Sequence, residues 1–162
     1  MGADITTFNE EEVGGEPVAD IRIKSAKLKG VHIPESLVPL AIDEFPVLFI
    51  AAACAEGQTV VTGAEELKVK ESDRIQVMAD GLQALGVSAR ATEDGMIIKG
   101  GEISGGTVHS HDDHRIAMAF AMAGLCAGGD IHIEDCDNVN TSFPGFADLA
   151  ASCGLAIKVI NE

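Results

Sequence analysis

Two short charged clusters stand out in an otherwise apolar chain: Lys70-Glu71-Ser72-Asp73-Arg74 and Asp112-Asp113-His114-Arg115. Each runs straight into an Ala/Met/Leu-rich stretch that reads as a helix, so each places an arginine in a first helical turn. The free N–H groups and the positive dipole end of a helix already favour negative charge there. The guanidinium adds a forked, permanently charged donor. A small phosphate or carboxylate is the ligand that such a corner suits. The remainder of the chain works against anions, with 26 Asp and Glu against 11 Lys and Arg and a formal charge of -15. There are only four arginines, Arg22, Arg74, Arg90 and Arg115, so two of them at helix starts mean focused local charge. Two blander arrangements remain open on residues alone. Arg115 could close an internal salt bridge with Asp112 or Asp113, and the first cluster could be a solvated helix start capped by Ser72 or Asp73.

The elements that carry these clusters repeat. Asp43-Glu44-Phe45-Pro46 opens an apolar helix ending at Cys54-Ala55-Glu56-Gly57, followed by the strand-like Thr59-Val60-Val61. Asp113-His114-Arg115-Ile116 opens another that ends at Cys126-Ala127-Gly128-Gly129, followed by Ile131-His132-Ile133. A second helix then runs from about Ser72 to Gly86 in one copy and from Ser142-Phe143-Pro144 to Gly154 in the other. Strands follow at Val87–Arg90 and Leu155–Val159. Asp43 to Asp113 is 70 residues, Gly57 to Gly129 is 72 and Gly86 to Gly154 is 68. A period of about 70, with Gly after each helix and Ser or Pro at the starts, implies a repeated α/β architecture with mixed sheets. The repeat units are expected at 42–110 and 111–162 within a single domain, 1–162. Upstream, strand-like Asp4–Phe8 and Ala19–Lys24 flank an acidic turn, Glu10–Gly15. Residues 1–41 thus read as the end of a preceding unit of something longer. The helix Ile116–Ala127 is apolar on every side and is expected to be buried all round.

Composition narrows the function classes. The 162 residues are 46% hydrophobic, enough for one ordinary core, and contain no Trp or Tyr. Net negative charge without stacking platforms argues against a nucleic-acid partner. The longest apolar run, Phe45–Ala55, has about half the length of a membrane span. The N-terminus lacks the basic start and apolar core of a secretory leader. Cys54, Cys126, Cys136 and Cys153 show no Cys-x-x-Cys spacing and are expected to be reduced, buried thiols of a cytoplasmic protein.

Leu67-Lys68-Val69-Lys70-Glu71-Ser72-Asp73-Arg74 and Asp113-His114-Arg115-Ile116-Ala117-Met118-Ala119 resemble the two signatures of the 5-enolpyruvylshikimate-3-phosphate synthase family. Ile42-Asp43-Glu44-Phe45-Pro46, Glu93-Asp94-Gly95 and Thr141-Ser142-Phe143-Pro144 support the resemblance, which extends from about Gly2 onward. It implies transfer of the enolpyruvyl group of phosphoenolpyruvate to the 5-hydroxyl of shikimate 3-phosphate, with release of phosphate. It also implies inside-out barrel domains, with helices packed inside mixed sheets, of which this chain is the C-terminal part. The missing first domain would then be a partner, no metal or organic cofactor would be required, and the enzyme would be a target of glyphosate.

By that resemblance, Asp43 would contact the shikimate 5-hydroxyl and act as candidate base, and Lys70 would bind at the junction of both substrates. Glu71 would exchange the proton at the methylene carbon of phosphoenolpyruvate. Arg74 and Arg115 would hold its phosphate and carboxylate, supported by His114. The chemistry calls for an acid placed at carbon and for planar cations that neither lose charge nor attack the substrate. This chain departs from some relatives in having Thr141 where they carry a lysine, and Glu66 and Lys68 where they carry asparagine and arginine. Two rivals share parts of the pattern. His109-Ser110-His111-Asp112-Asp113-His114 matches the His-x-His-x-Asp-His signature of the metallo-β-lactamase-like hydrolases, in which His109, His111, Asp113 and His114 would hold zinc, with His132 as a further ligand. A UDP-sugar enolpyruvyl transferase would share the repeats, though the Lys-Glu-Ser-Asp-Arg run favours the shikimate enzyme.

Overall fold

The computed structural model describes residues 1–160. It opens with an antiparallel hairpin of β1 (Asp4–Val13) and β2 (Glu16–Lys24), joined by Gly14-Gly15. The two glycines take φ of 64° and 88°, the left-handed geometry that a two-residue hairpin loop requires. That corrects the expected acidic turn, because Gly14-Gly15 supplies the reversal and leaves Glu10–Glu12 on the strand. Every residue of both strands is exposed, including Ile5, Ile21 and Ile23.

Past the hairpin, an extended segment at 28–33 pairs in parallel with 56–60, Gly30 N–H donating to Glu56 O at 2.8 Å and Val60 N–H to Val31 O at 2.9 Å. Between them lies α1 (Phe45–Ala53), with Pro46 in its first turn, and the chain continues into β3 (Gln58–Val61). The same arrangement recurs with β6 (Gly106–His109), α3 (His114–Ala123) and β7 (Ile131–Glu134), where β6 and β7 pair in parallel. Parallel neighbours need a crossover, and in each copy the apolar helix provides it. Between the copies, α2 (Arg74–Ala84) leads into β4 (Ser88–Ala91) and β5 (Met96–Lys99), which with β3 form an antiparallel sheet in the order β3-β5-β4. The fold is thus α/β with helices packed inside mixed sheets; among the described residues the sheets do not close into a barrel.

The C-terminal reading needs correction. In place of one helix from Ser142 there are two short ones, α4 (Asn138–Ser142) and α5 (Phe146–Ser152), separated by a turn in which Gly145 has φ 80°. No strand forms at Leu155–Val159, because among the described residues no neighbouring strand offers them a ladder. Helix α3 also stops sooner than expected, at Ala123. Ile116, Ala119, Phe120 and Ala123 are buried, Met118 and Met122 only half so, and Leu125 and Cys126 lie exposed beyond its end. All four cysteines are free thiols and all four are exposed, against the expectation of burial. Cys54 and Cys153 occupy the C-caps of α1 and α5, where helical cover runs out.

The core joins Phe45 and Phe49 of α1, Ile75, Met78 and Leu82 of α2, and Ile116 and Phe120 of α3. Gly81 lets α2 and α3 meet: a Cβ there would lie 2.3 Å from Phe120 Cζ. Gly81→Ala is therefore expected to destabilise the fold despite gaining about 1 kcal/mol of helix propensity, because displacing a buried ring costs about 1–3 kcal/mol. Thermal melts should show a lower Tm that Phe120→Leu partly restores. An unchanged or higher Tm would mean that the ring yields freely.

Candidate active site

The two charged clusters meet at the starts of α2 and α3. At α2 the cap is Asp73, whose carboxylate accepts from Gln76 N–H at 3.0 Å, so Arg74 becomes the first helical residue. Asp113 caps α3, its Oδ1 accepting from Arg115 N–H at 3.0 Å and Ile116 N–H at 3.4 Å. The chain reaches that cap through two left-handed residues, His111 with φ 52° and Asp112 with φ 58°. Asn138 Nδ2 holds the turn by donating to Asp112 O at 2.6 Å.

Arg74 is the centre of the assembly and is only 1% exposed. Its Nε donates to Asp113 Oδ2 at 2.8 Å and its Nη2 to Asp113 Oδ1 at 3.3 Å. Nη2 also reaches Glu71 Oε2 at 2.6 Å, and Nη1 reaches Asp43 Oδ1 at 3.2 Å. Ser72 Oγ adds a further donor to Asp113 Oδ2 at 3.0 Å. The first cluster is therefore no solvated helix start, because Asp113, 39 residues away, draws its arginine inward.

Arg115 pairs across the helices instead of with Asp112 or Asp113. Its Nη1 donates to Asp43 O at 3.0 Å and its Nη2 lies 3.6 Å from Asp43 Oδ2. Lys70 Nζ sits 4.0 Å from Asp43 Oδ1 and donates to Glu66 Oε1 at 2.6 Å. The carboxylate of Asp43, 44% exposed, thus stands among three cations: Lys70, Arg74 and Arg115. The structure accordingly gathers Asp43, Lys70, Glu71, Arg74 and Arg115 into one cluster. His114 begins α3 half-buried and, among the described residues, makes no side-chain hydrogen bond to them.

Charge is well compensated in this corner. Burial alone would push the Asp113 carboxyl upward, but the hydrogen bonds and charge of Arg74, with help from Ser72 and the Arg115 N–H, hold it below the usual carboxylate range. Burial likewise opposes the charge on Arg74, and Asp113, Glu71 and Asp43 overcome it, so that its pKa is raised. Lys70 is raised chiefly by its hydrogen bond to Glu66. Lys70 and Arg74 are thus held in their charged forms. An anion entering here meets a preformed set of donors, with Asp43 and Glu71 as the groups that must give way.

Two members were not assigned these partners from the sequence. Asp113 pairs with Arg74, and a signal for it existed in its 70-residue offset from Asp43, since both repeat-equivalent aspartates grip the same guanidinium. Glu66 holds Lys70, and the i,i+4 spacing was the available clue. The zinc alternative fails on geometry. Asp113 is fully buried against Arg74, His109 Nδ1 is 2.9 Å from Glu134 Oε2, and no group of three or more His, Cys, Asp or Glu side chains is arranged to hold a metal among the described residues.

Comparison with known proteins gives a consistent result. A family model described as EPSP synthase (3-phosphoshikimate 1-carboxyvinyltransferase) matches residues 1–149. The chain is 69% identical over 158 residues to a 3-phosphoshikimate 1-carboxyvinyltransferase of Nitrosococcus oceani, covering 98% of this chain and 36% of that protein. It is also 69% identical to the protein of the same name from Alkalilimnicola ehrlichii, covering 97% of this chain and 35% of that one. A solved structure of EPSP synthase from Acinetobacter baumannii superposes with a TM-score of 0.95 at 60% identity, covering 99% of this chain and 38% of that chain. The chain thus spans about a third of the length of the relatives it matches.

Proposed function

The chain belongs to the EPSP synthase family, and from that premise we propose that it supplies part of the active site of an enzyme transferring the enolpyruvyl group of phosphoenolpyruvate to the 5-hydroxyl of shikimate 3-phosphate. What supports this reading is the convergence of Lys70, Arg74 and Arg115 on one carboxylate, that of Asp43, each within 4.0 Å. Three cations around one anionic group suit a substrate that brings both a phosphate and a carboxylate.

Arg115 and Arg74 bind the anionic ends of phosphoenolpyruvate, with His114 beside them. Lys70 lies between the two substrates. Asp43 leaves its cations to orient the shikimate hydroxyl and accept its proton. Glu71, protonated once it is released from Arg74, delivers that proton to the methylene carbon and takes one back from the resulting methyl group as phosphate departs with the proton that Asp43 accepted. The ion pairs seen here are then resting contacts, and ligand anions replace Asp43 and Glu71 against the arginines. No organic cofactor or metal enters this scheme. The remaining wall of the cleft comes from the rest of the protein, and the site of action is the cytoplasm. Among the described residues no helix is long and apolar enough to cross a membrane.

The test is a phosphate-release assay. The full-length protein should release phosphate from phosphoenolpyruvate only when shikimate 3-phosphate is present. Residues 1–162 alone are expected to show no measurable turnover, because preorganised charge must come from both walls of a closed cleft. Phosphate release by the full-length protein that is independent of shikimate 3-phosphate would overturn the substrate assignment. Robust turnover by residues 1–162 would overturn the two-walled site.

A further inference from the structure

The starts of α1 and α3 share the ionic cluster, and their other ends share a second contact that the proposed chemistry does not use. Cys54, the C-cap of α1, and Cys126, just past α3, lie with their Sγ atoms 3.3 Å apart. They are 72 residues apart in sequence and close corresponding helices of the two repeats. The two helices therefore run side by side in the same direction, Arg115 reaching Asp43 at one end and sulfur touching sulfur at the other.

We propose that Cys54 and Cys126 are a modification site at which a small-molecule disulfide oxidises the pair to an intramolecular disulfide that ties α1 to α3. A disulfide needs the sulfurs only about 1.3 Å closer than they stand. Both residues are exposed, and a cavity of ≈ 280 Å³ lined by Ala26, Lys27, Leu28, Cys54 and Glu56 opens beside Cys54. The other two cysteines have no sulfur partner among the described residues: Cys136 Sγ faces Ile133 O at 3.7 Å and Cys153 Sγ lies 4.0 Å from Ser152 Oγ.

The chemistry is two exchanges in sequence. One protein sulfur, as thiolate, attacks the small disulfide, forming a mixed disulfide and expelling one small thiolate. The second protein sulfur attacks the mixed disulfide, closes the Cys54–Cys126 bond and expels the other. Two electrons pass from the protein to the oxidant, and the two protein protons end on the two released small thiols. Burial, then the hydrogen bond and charge of Cys126, push the Cys54 thiol up to about 12, so its thiolate is scarce at neutral pH and the exchange is slow, which calls for excess oxidant.

The experiment treats the full-length protein with excess oxidised glutathione, quenches it by alkylation and maps the peptides without reduction. The expected product is an intramolecular Cys54–Cys126 link, with both thiols lost to alkylation and Tm raised by roughly 5–10 °C through closure of a long loop. Dithiothreitol should reverse both changes. Cys54→Ser or Cys126→Ser alone should abolish them, whereas the double variant Cys136→Ser, Cys153→Ser should retain them. Recovery of Cys54 and Cys126 as free thiols, as stable glutathione adducts, or in a link between two molecules would overturn the proposal. Prolonged alkylation of the untreated wild-type protein with excess reagent supplies a readout that depends on no variant folding: both cysteines should be modified, Cys54 slowly, and complete resistance of either, where the denatured protein reacts, would contradict the open site.

Discussion

Glu71→Gln is expected to lower kcat on the order of 10²-fold or more while changing KM for phosphoenolpyruvate far less. The amide keeps the shape of the side chain and an oxygen that can accept from Arg74 Nη2, which Glu71 Oε2 now engages at 2.6 Å. On the proposed mechanism, what is lost is the ability to give and take a proton at carbon. Steady-state kinetics on the full-length enzyme separate the two effects, with Arg115→Ala as the contrasting variant in which binding of phosphoenolpyruvate weakens first. A Glu71→Gln enzyme turning over near the wild-type rate would reduce the Lys70–Arg74 run to an anion-binding helix start with no acid in it.

The second large effect falls on folding. Asp113→Ala would leave the buried Arg74 without the acceptor for its Nε, deprive Ser72 Oγ of its partner and uncap α3. Removing one partner of a buried pair costs about 3–5 kcal/mol, a large share of the stability of an ordinary domain. Asp113→Asn should lose less, because asparagine still caps a helix and still offers one oxygen to Arg74. The pH dependence follows from the lowered Asp113 pKa. A carboxyl held below its unfolded value adds stability that is present above about pH 4 and lost as pH falls through the folded value. The gap between wild type and Asp113→Asn in urea unfolding should accordingly be wide at pH 7 and shrink in acid. A gap of less than about 1 kcal/mol for Asp113→Ala at pH 7 would mean that Arg74 finds water or another carboxylate at little penalty.

Much of the scaffold could be read from the residues because it rests on local rules. Pro46, Asp73 and Asp113 mark helix starts by the backbone groups they lack or satisfy, and the matching offsets of Asp43 and Asp113 expose the repeat without any knowledge of contacts. Features set by distant neighbours were not readable. The burial of Arg74 depends on Asp113 arriving from another helix, and no property of Lys70–Arg74 announces it. The pattern at Leu155–Val159 misleads for the same reason, since an apolar alternation without a neighbour to hydrogen-bond stays irregular. Cys54, Cys126 and Cys153 read as buried from their Ala-rich surroundings, but α1 and α5 end at Cys54 and Cys153 and α3 stops short of Cys126.

Asp43 and Asp113 descend into the same structure from matching places in two copies of one motif, and their fates differ. Asp113 is sealed away with 0% exposure, while Asp43 keeps 44% of its side chain open. Duplication supplies a spare: once one copy seals the shared arginine in place, the other, gripping it from the open side, is free to take the role proposed for it. Variation at the two positions should therefore be filtered by different pressures. Changes at Asp113 are expected to be removed as protein that fails to accumulate and, on the role proposed for Asp43, changes there as well-folded protein that fails to work.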